Sequence, residues 1–225
     1  MRNRALIFDF DGLIVDSERA CYAAWLEIFR GHGHELTVAE WHAAIGHVDR
    51  YDPVAALEAR TGIPLDRHRL QSDHKERFLG LFEKEEPMPG VRELIAAGKA
   101  AGYRLGVASN ASSDWVGSGL KRFGLLDAFD VYFGRDRVAR PKPAPDVYLA
   151  VLRGLGCDAA GSWAFEDSEP GVAAAAAAGL TVIAVPNDLT RHADFGLAHS
   201  VLDSLHQFAL PAHGVAPAST ICERV

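Results

Sequence analysis

The sequence predicts an α/β fold, a doubly wound parallel sheet with an all-helical segment inserted after its first strand. Three observations carry that prediction. Short apolar runs recur, each closed by turn residues. Helical patterns alternate with them. The alternation is broken once, by a long strand-poor interval between the first apolar run and the second.

Taken in order, residues 5–8 (Ala-Leu-Ile-Phe) are the first strand, and further strands are expected at 103–108, 131–133, 163–165 and 181–185. Such runs read as strands buried on both faces of a parallel sheet. Helices are expected over 91–101, stopped by Gly102, over 146–155, framed by Pro143, Pro145 and Gly156, and over 171–178, ended by Gly179. The alanine run at 173–178 suits a helix lying close on the sheet, since alanine is the best helix former.

The interval 17–86 shows helical spacing instead, as in Tyr22, Trp25, Leu26 and Phe29. We expect a core domain made of 1–16 and 87–210, and a helical cap domain at 17–86. The hinges should lie near 15–17 and 86–90, where Pro87 and Pro89 stiffen the return. An insertion at the carboxyl end of a strand overhangs the ligand crevice of such sheets, so a lid is expected. The stretch 211–225, rich in small and polar residues, is expected to be a mobile tail.

The 225 residues are 48% hydrophobic and 24% charged, an ordinary globular composition. A net charge of −7 argues against general nucleic-acid binding, which needs a basic face. An anionic substrate would then need local positive charge from lysine, arginine or a bound cation. Cys21, Cys157 and Cys222 have no metal-site spacing and suit reduced thiols. The N-terminal segment does not read as a signal peptide, and no apolar run is long enough for a membrane span. A cytoplasmic protein without nucleic-acid or membrane partners is expected, as monomer or homodimer.

Four chemistry-bearing features end or follow predicted strands, so they should meet at one edge of the sheet. Asp9 and Asp11 follow the first strand; strand alternation would put them on one side, where paired carboxylates need a cation or proton between them. Ser109-Asn110 follows the second strand, as a phosphate cradle at a helix start or as a plain N-cap. Lys142 sits among Pro141, Pro143 and Pro145, as a fixed phosphate-binding cation or as a surface lysine. Glu166-Asp167 follows the fourth strand, as further ligands of a hard cation such as magnesium or as a helix-start acidic pair.

Phe8-Asp9-Phe10-Asp11-Gly12-Leu13-Ile14-Val15-Asp16-Ser17 resembles the first motif of the haloacid dehalogenase (HAD) superfamily. Ser109-Asn110, Lys142 and Glu166-Asp167-Ser168-Glu169-Pro170-Gly171 are similar to its second, third and fourth motifs, in order. The resemblance is to β-phosphoglucomutase-like phosphatases with a helical cap, and it implies a Rossmann-like HAD core. It implies a magnesium-dependent phosphatase acting on a small phosphorylated metabolite, such as a sugar phosphate. Asp9 would be the nucleophile that forms an aspartyl-phosphate, and Asp11 the proton donor and acceptor. Mg2+ would be held by Asp9, the Asp11 carbonyl, Asp167 and Glu166. Ser109, Asn110 and Lys142 would bind the phosphate. Dehalogenation is disfavoured, because the dehalogenases of the superfamily lack the second aspartate.

The resemblance also implies cap residues that touch substrate, namely Gly46, Arg50 and Lys75. Mutases of the group carry an arginine three residues after that glycine, where this chain has Asp49, and a histidine where it has Cys21. These departures favour water over a second sugar hydroxyl as final acceptor. A phosphomutase and a non-catalytic binding module remain the alternatives.

Overall fold

The computed structural model describes residues 4–42, 45 and 51–210. Six strands form one sheet: β1 (Ala5–Phe8), β2 (Arg104–Ala108), β3 (Val131–Phe133), β4 (Trp163–Glu166), β5 (Thr181–Ala184) and β6 (Ser200–Val201). Their order is β3-β2-β1-β4-β5-β6, and every neighbouring pair is parallel. The chain winds outward from β1 through β2 to β3, then returns to β4 and winds the other way. The order therefore reverses between β1 and β4, which is where such sheets open a crevice at their carboxyl ends.

Helices α5 (Val91–Ala100), α6 (Ser113–Arg122), α7 (Asp146–Leu155) and α8 (Glu169–Ala177) cover the sheet. Leu6 and Phe8 face a core shared with Val91, Leu94, Val116 and Leu120. Ala5 and Ile7 face a second core shared with Val147, Val151, Val172 and Ala175. All four β1 side chains are fully buried, as a strand covered on both faces requires. Each large one contributes about 1.5–3 kcal/mol by leaving water.

Three details differ from the sequence reading. β3 is only half-buried, because it is an edge strand with one neighbour. β6 is two residues long and has no apolar run to announce it. Helix α8 starts at Glu169, not Gly171, because the Ser168 hydroxyl caps it by accepting from the Gly171 N–H (3.2 Å).

Between β1 and α5 lie only helices among the described residues: α1 (Ser17–Gly31), α2 (Val38–Trp41), α3 (Pro53–Thr61) and α4 (Arg67–Phe82). Asp16, Thr37, Asp52 and Asp66 cap their N-termini with side-chain oxygens. Trp25, Phe29, Trp41, Leu57 and Leu70 form a separate apolar cluster, which Leu189 joins from beyond β5. The outgoing and returning connections run side by side, with the Met88 N–H donating to the Ile14 carbonyl (2.8 Å) and Val15 bridged to Pro87. No helix among the described residues is long and apolar enough to cross a membrane. The tail 211–225 lies outside the described residues.

Candidate active site

Asp9 leaves β1 at the point where the strand order reverses. Its N–H donates to the Phe165 carbonyl (2.9 Å), which carries the β1–β4 ladder one residue beyond the strand. Its carboxylate meets Lys142, whose Nζ lies 2.6 Å from Asp9 Oδ1 and 2.6 Å from Glu166 Oε1. The surface-lysine alternative therefore falls, since Lys142 is 5% exposed. Asn110 explains how a loop lysine is held so deep. Its Oδ1 accepts from the Lys142 N–H (2.8 Å), and its Nδ2 donates to the Lys142 carbonyl (3.2 Å). The loop after β2 thus grips the loop before α7 by its backbone.

Glu166 is the last residue of β4 and is fully buried. The Tyr148 hydroxyl and the Lys142 ammonium both donate to Oε1, and the Ser168 hydroxyl donates to Oε2 (3.2 Å). The Tyr148 ring also lies 5.1 Å from the Lys142 ammonium. Gly171 is dictated by this carboxylate, because a Cβ there would sit 2.0 Å from Glu166 Oε2. Asp167 is equally buried, and Asn187 Nδ2 donates to its Oδ2 (3.0 Å) and to the Gly12 carbonyl (3.3 Å). Gly12 is required twice over: its φ is +88°, and a Cβ would lie 2.1 Å from Asp167 Oδ2.

Carboxylate oxygens of Asp9, Glu166 and Asp167 all lie within 4.8 Å of one another, in a buried group of the kind that holds a metal ion. Three carboxylates face one ammonium, so the cluster carries uncompensated negative charge. Burial pushes the Asp9 carboxyl up, as do Glu166 and Asp11, while Lys142 pulls the other way. Burial and the charges of Asp9 and Glu166 push Asp167 up as well. Burial alone would lower the Lys142 ammonium, but the two carboxylates outweigh it and raise it. A hard divalent cation would relieve the repulsion with oxygen ligands suited to it.

Strand alternation does not govern Asp11, because the strand ends at Phe8 and the chain turns. The Asp11 side chain stands apart from the cluster, among neutral donors. Its Oδ1 accepts from Ser17 Oγ (2.6 Å) and Trp115 Nε1 (2.9 Å), and its Oδ2 from Ser109 Oγ (3.4 Å). Burial raises its pKa against those hydrogen bonds. Ser109 is not the cap of α6; that place belongs to Ser112, so Ser109 and Asn110 lie in the loop before the helix. The helix-start alternative for Glu166 likewise falls, because Glu166 still belongs to the strand.

On the helical side, Lys75 is exposed on α4. Gly46, Asp49 and Arg50 lie outside the described residues. Glu18, in the first turn of α1, adds another carboxyl to the crevice. Burial, then Asp11, Asp9 and Asp16, push it up to about 8. Sequence reasoning missed Ser17, Trp115, Tyr148 and Asn187. Asn187 was within reach of the rule that named the others, since it follows the end of β5. Tyr148 carries a hydroxyl on a buried helix face, where such a group needs a partner.

Comparison with known proteins identifies the family. The family model described as haloacid dehalogenase-like hydrolase matches residues 6–185. The protein YhcW of Bacillus subtilis (strain 168) is 40% identical over 83% of this chain and 85% of its own length. Hexitol phosphatase B of Escherichia coli (strain K12) is 33% identical over 81% of this chain and 83% of its own. Among solved structures, CbbY from Rhodobacter sphaeroides in complex with phosphate is 32% identical, with a TM-score of 0.74 over 92% of this chain and 96% of that one. A mutant of the same protein was solved with xylulose-(1,5)-bisphosphate. The chain therefore belongs to the haloacid dehalogenase-like hydrolases, and its phosphatase-named relatives make it a phosphoric monoester hydrolase of that family.

Proposed function

We propose that this chain hydrolyses the phosphate monoester of a small sugar or polyol by way of an aspartyl-phosphate on Asp9, beneath a cap formed by α1–α4. One observation carries the reading. The two aspartates after β1 differ in what they touch: Asp9 meets an ammonium and two carboxylates, whereas Asp11 takes its hydrogen bonds from neutral donors. A nucleophile needs its ionised form, which the Lys142 ammonium favours against burial, and a proton carrier must hold its proton, which burial among neutral donors favours.

The Lys142 ammonium favours ionised Asp9 and, with the Ser109 hydroxyl, receives the phosphoryl oxygens. Asp9 attacks phosphorus, the bond to the leaving oxygen breaks, and Asp11 gives that oxygen its proton. Asp11 then takes a proton from the water that cleaves the aspartyl-phosphate, releasing inorganic phosphate and restoring both residues. Asp9, Glu166 and Asp167, with the Asp11 carbonyl, would hold Mg2+; their buried, under-compensated oxygen set fits it. When bound, the cation neutralises charge on the phosphoryl group. The hexitol phosphatase name and the xylulose bisphosphate complex support a polyhydroxylated substrate.

The test is a screen of phosphorylated sugars and polyols, with p-nitrophenyl phosphate as the generic substrate and Mg2+ present. Phosphate release is expected, and Asp9→Asn or excess EDTA should abolish it. Full activity in either case sinks the reading. Movement of labelled phosphate between sugar hydroxyls, without free phosphate, would favour the mutase instead.

A further inference from the structure

We infer that Trp115 is a positioning residue that ties the Asp11 carboxylate to the seating of the cap. The inference rests on the phosphatase reading above, in which Asp11 carries the proton. Asp11 Oδ1 accepts two hydrogen bonds, from Ser17 Oγ (2.6 Å) and Trp115 Nε1 (2.9 Å). An oxygen already serving two donors is a poor seat for a proton, so the proton belongs on Oδ2. That oxygen faces Ser109, on the phosphate side (3.4 Å). The two donors thus decide which oxygen is acid and where it points.

Trp115 belongs to α6 of the core, but rings that pack on it come from the cap helix α4. Phe78 lies 5.4 Å and Phe82 4.7 Å from it, centroid to centroid. The stack continues into the cap, with Phe78 on His74 (6.0 Å, 9° between planes) and His74 on Trp25 (4.5 Å, 16°). Beyond the end of α4, the Arg122 guanidinium donates to the carbonyls of Glu83 and Glu85. The indole is therefore clamped between cap and core, with its N–H aimed at Asp11. The second donor, Ser17, is the first residue of α1, also at the cap boundary. A shift of α4 would tilt the N–H off Oδ1 and free the carboxyl to turn away from the leaving oxygen.

The experiment compares kcat/KM for phenyl phosphate and p-nitrophenyl phosphate. The two esters have similar shape, but phenolate is the more basic leaving group and depends more on the proton from Asp11. The ratio kcat/KM runs only to the first irreversible step, the transfer to Asp9, so the later action of Asp11 as base does not enter. Trp115→Phe keeps a ring for Phe78 and Phe82 and removes the N–H. The expected loss is about fivefold or more greater on phenyl phosphate than on the nitrophenyl ester. Phe78→Leu keeps the N–H and loosens the clamp, and the same bias is expected at about twofold or more. Equal losses on both esters overturn the inference. Bias in Trp115→Phe alone overturns the link to the cap. If Trp115→Phe does not fold, Phe78→Leu decides by the same comparison. Asp9→Asn is the control: if it stays active, the phosphatase reading fails, whereas if it is dead and the losses are equal, only the present inference fails.

Discussion

On the sheet side of the crevice, Asp9, Lys142, Glu166 and Asp167 are almost fully buried, and each is held by named donors or acceptors. On the helical side the packing is largely aromatic, as in Trp25 on His74 and Trp41 against Tyr51, and Lys75 stands in solvent. The difference has consequences. Buried charges depend on one another, so losing one leaves the others unpaired at high cost. Aromatic packing tolerates exchange as long as volume is kept. On the proposed reading, substitution is therefore tolerated least at the sheet edge and more readily in the helices α1–α4 above it.

Lys142→Met should break the sheet side most severely. The ammonium is the shared partner of Asp9 and Glu166, so activity should fall about 100-fold or more. Removing one member of a buried ion pair also costs about 3–5 kcal/mol, and this should appear as a lower midpoint of urea unfolding. A variant with near-normal turnover would show that the ammonium does not serve the phosphoryl group. Next comes Asn187→Leu, which strips the amide from Asp167. Residues that orient a metal-binding side chain typically account for about 10–100-fold in affinity. The Mg2+ concentration for half-maximal activity should rise about tenfold, with activity recovered at saturating Mg2+. An unchanged requirement would mean that Asp167 needs no orientation.

This asymmetry also explains what the sequence could disclose. The sheet was legible because β1, β2, β4 and β5 are buried on both faces or nearly so, and burial writes itself as apolar runs. The candidate site was legible because Asp9, Ser109, Lys142 and Glu166-Asp167 end or follow strands, where a parallel sheet gathers its chemistry. β6 was not, since two edge residues need no apolar pattern. Trp115 and Tyr148 were not, because they sit inside helices and act through one polar atom on a large apolar ring. Only the folded contacts tell them from core residues. Asn110 was read as a neighbour of phosphate, and the structure engages its side-chain amide with the Lys142 backbone.

A smaller effect should come from Glu18, the carboxyl that the cap turns toward Asp11. Its folded pKa is raised from 4.5 to about 8, chiefly by burial. A carboxyl shifted in this direction favours the folded state in full below its unfolded pKa. That contribution is lost as pH rises through the folded value. Glu18→Gln stays neutral throughout. It should therefore gain thermal stability over the parent at pH 8.5 and show little difference at pH 4.5, by melting scans at both. A parent protein whose advantage over Glu18→Gln grows with pH would contradict the burial of this carboxyl.

The smallest effect tests the solvated end of the cap. Lys75 is exposed on α4, one residue beyond His74, whose ring stacks on Trp25. An exposed ammonium attracts an anion weakly, because water and salt screen it, and such single contacts contribute about 0.2–1 kcal/mol. Lys75→Ala should therefore raise KM for the preferred phosphorylated substrate by no more than about fivefold and leave kcat unchanged. The rise should shrink as salt is added. A fall in kcat that resists salt would instead bring the ammonium into the site during turnover, and the cap side of the crevice would then share in the chemistry as well as in recognition.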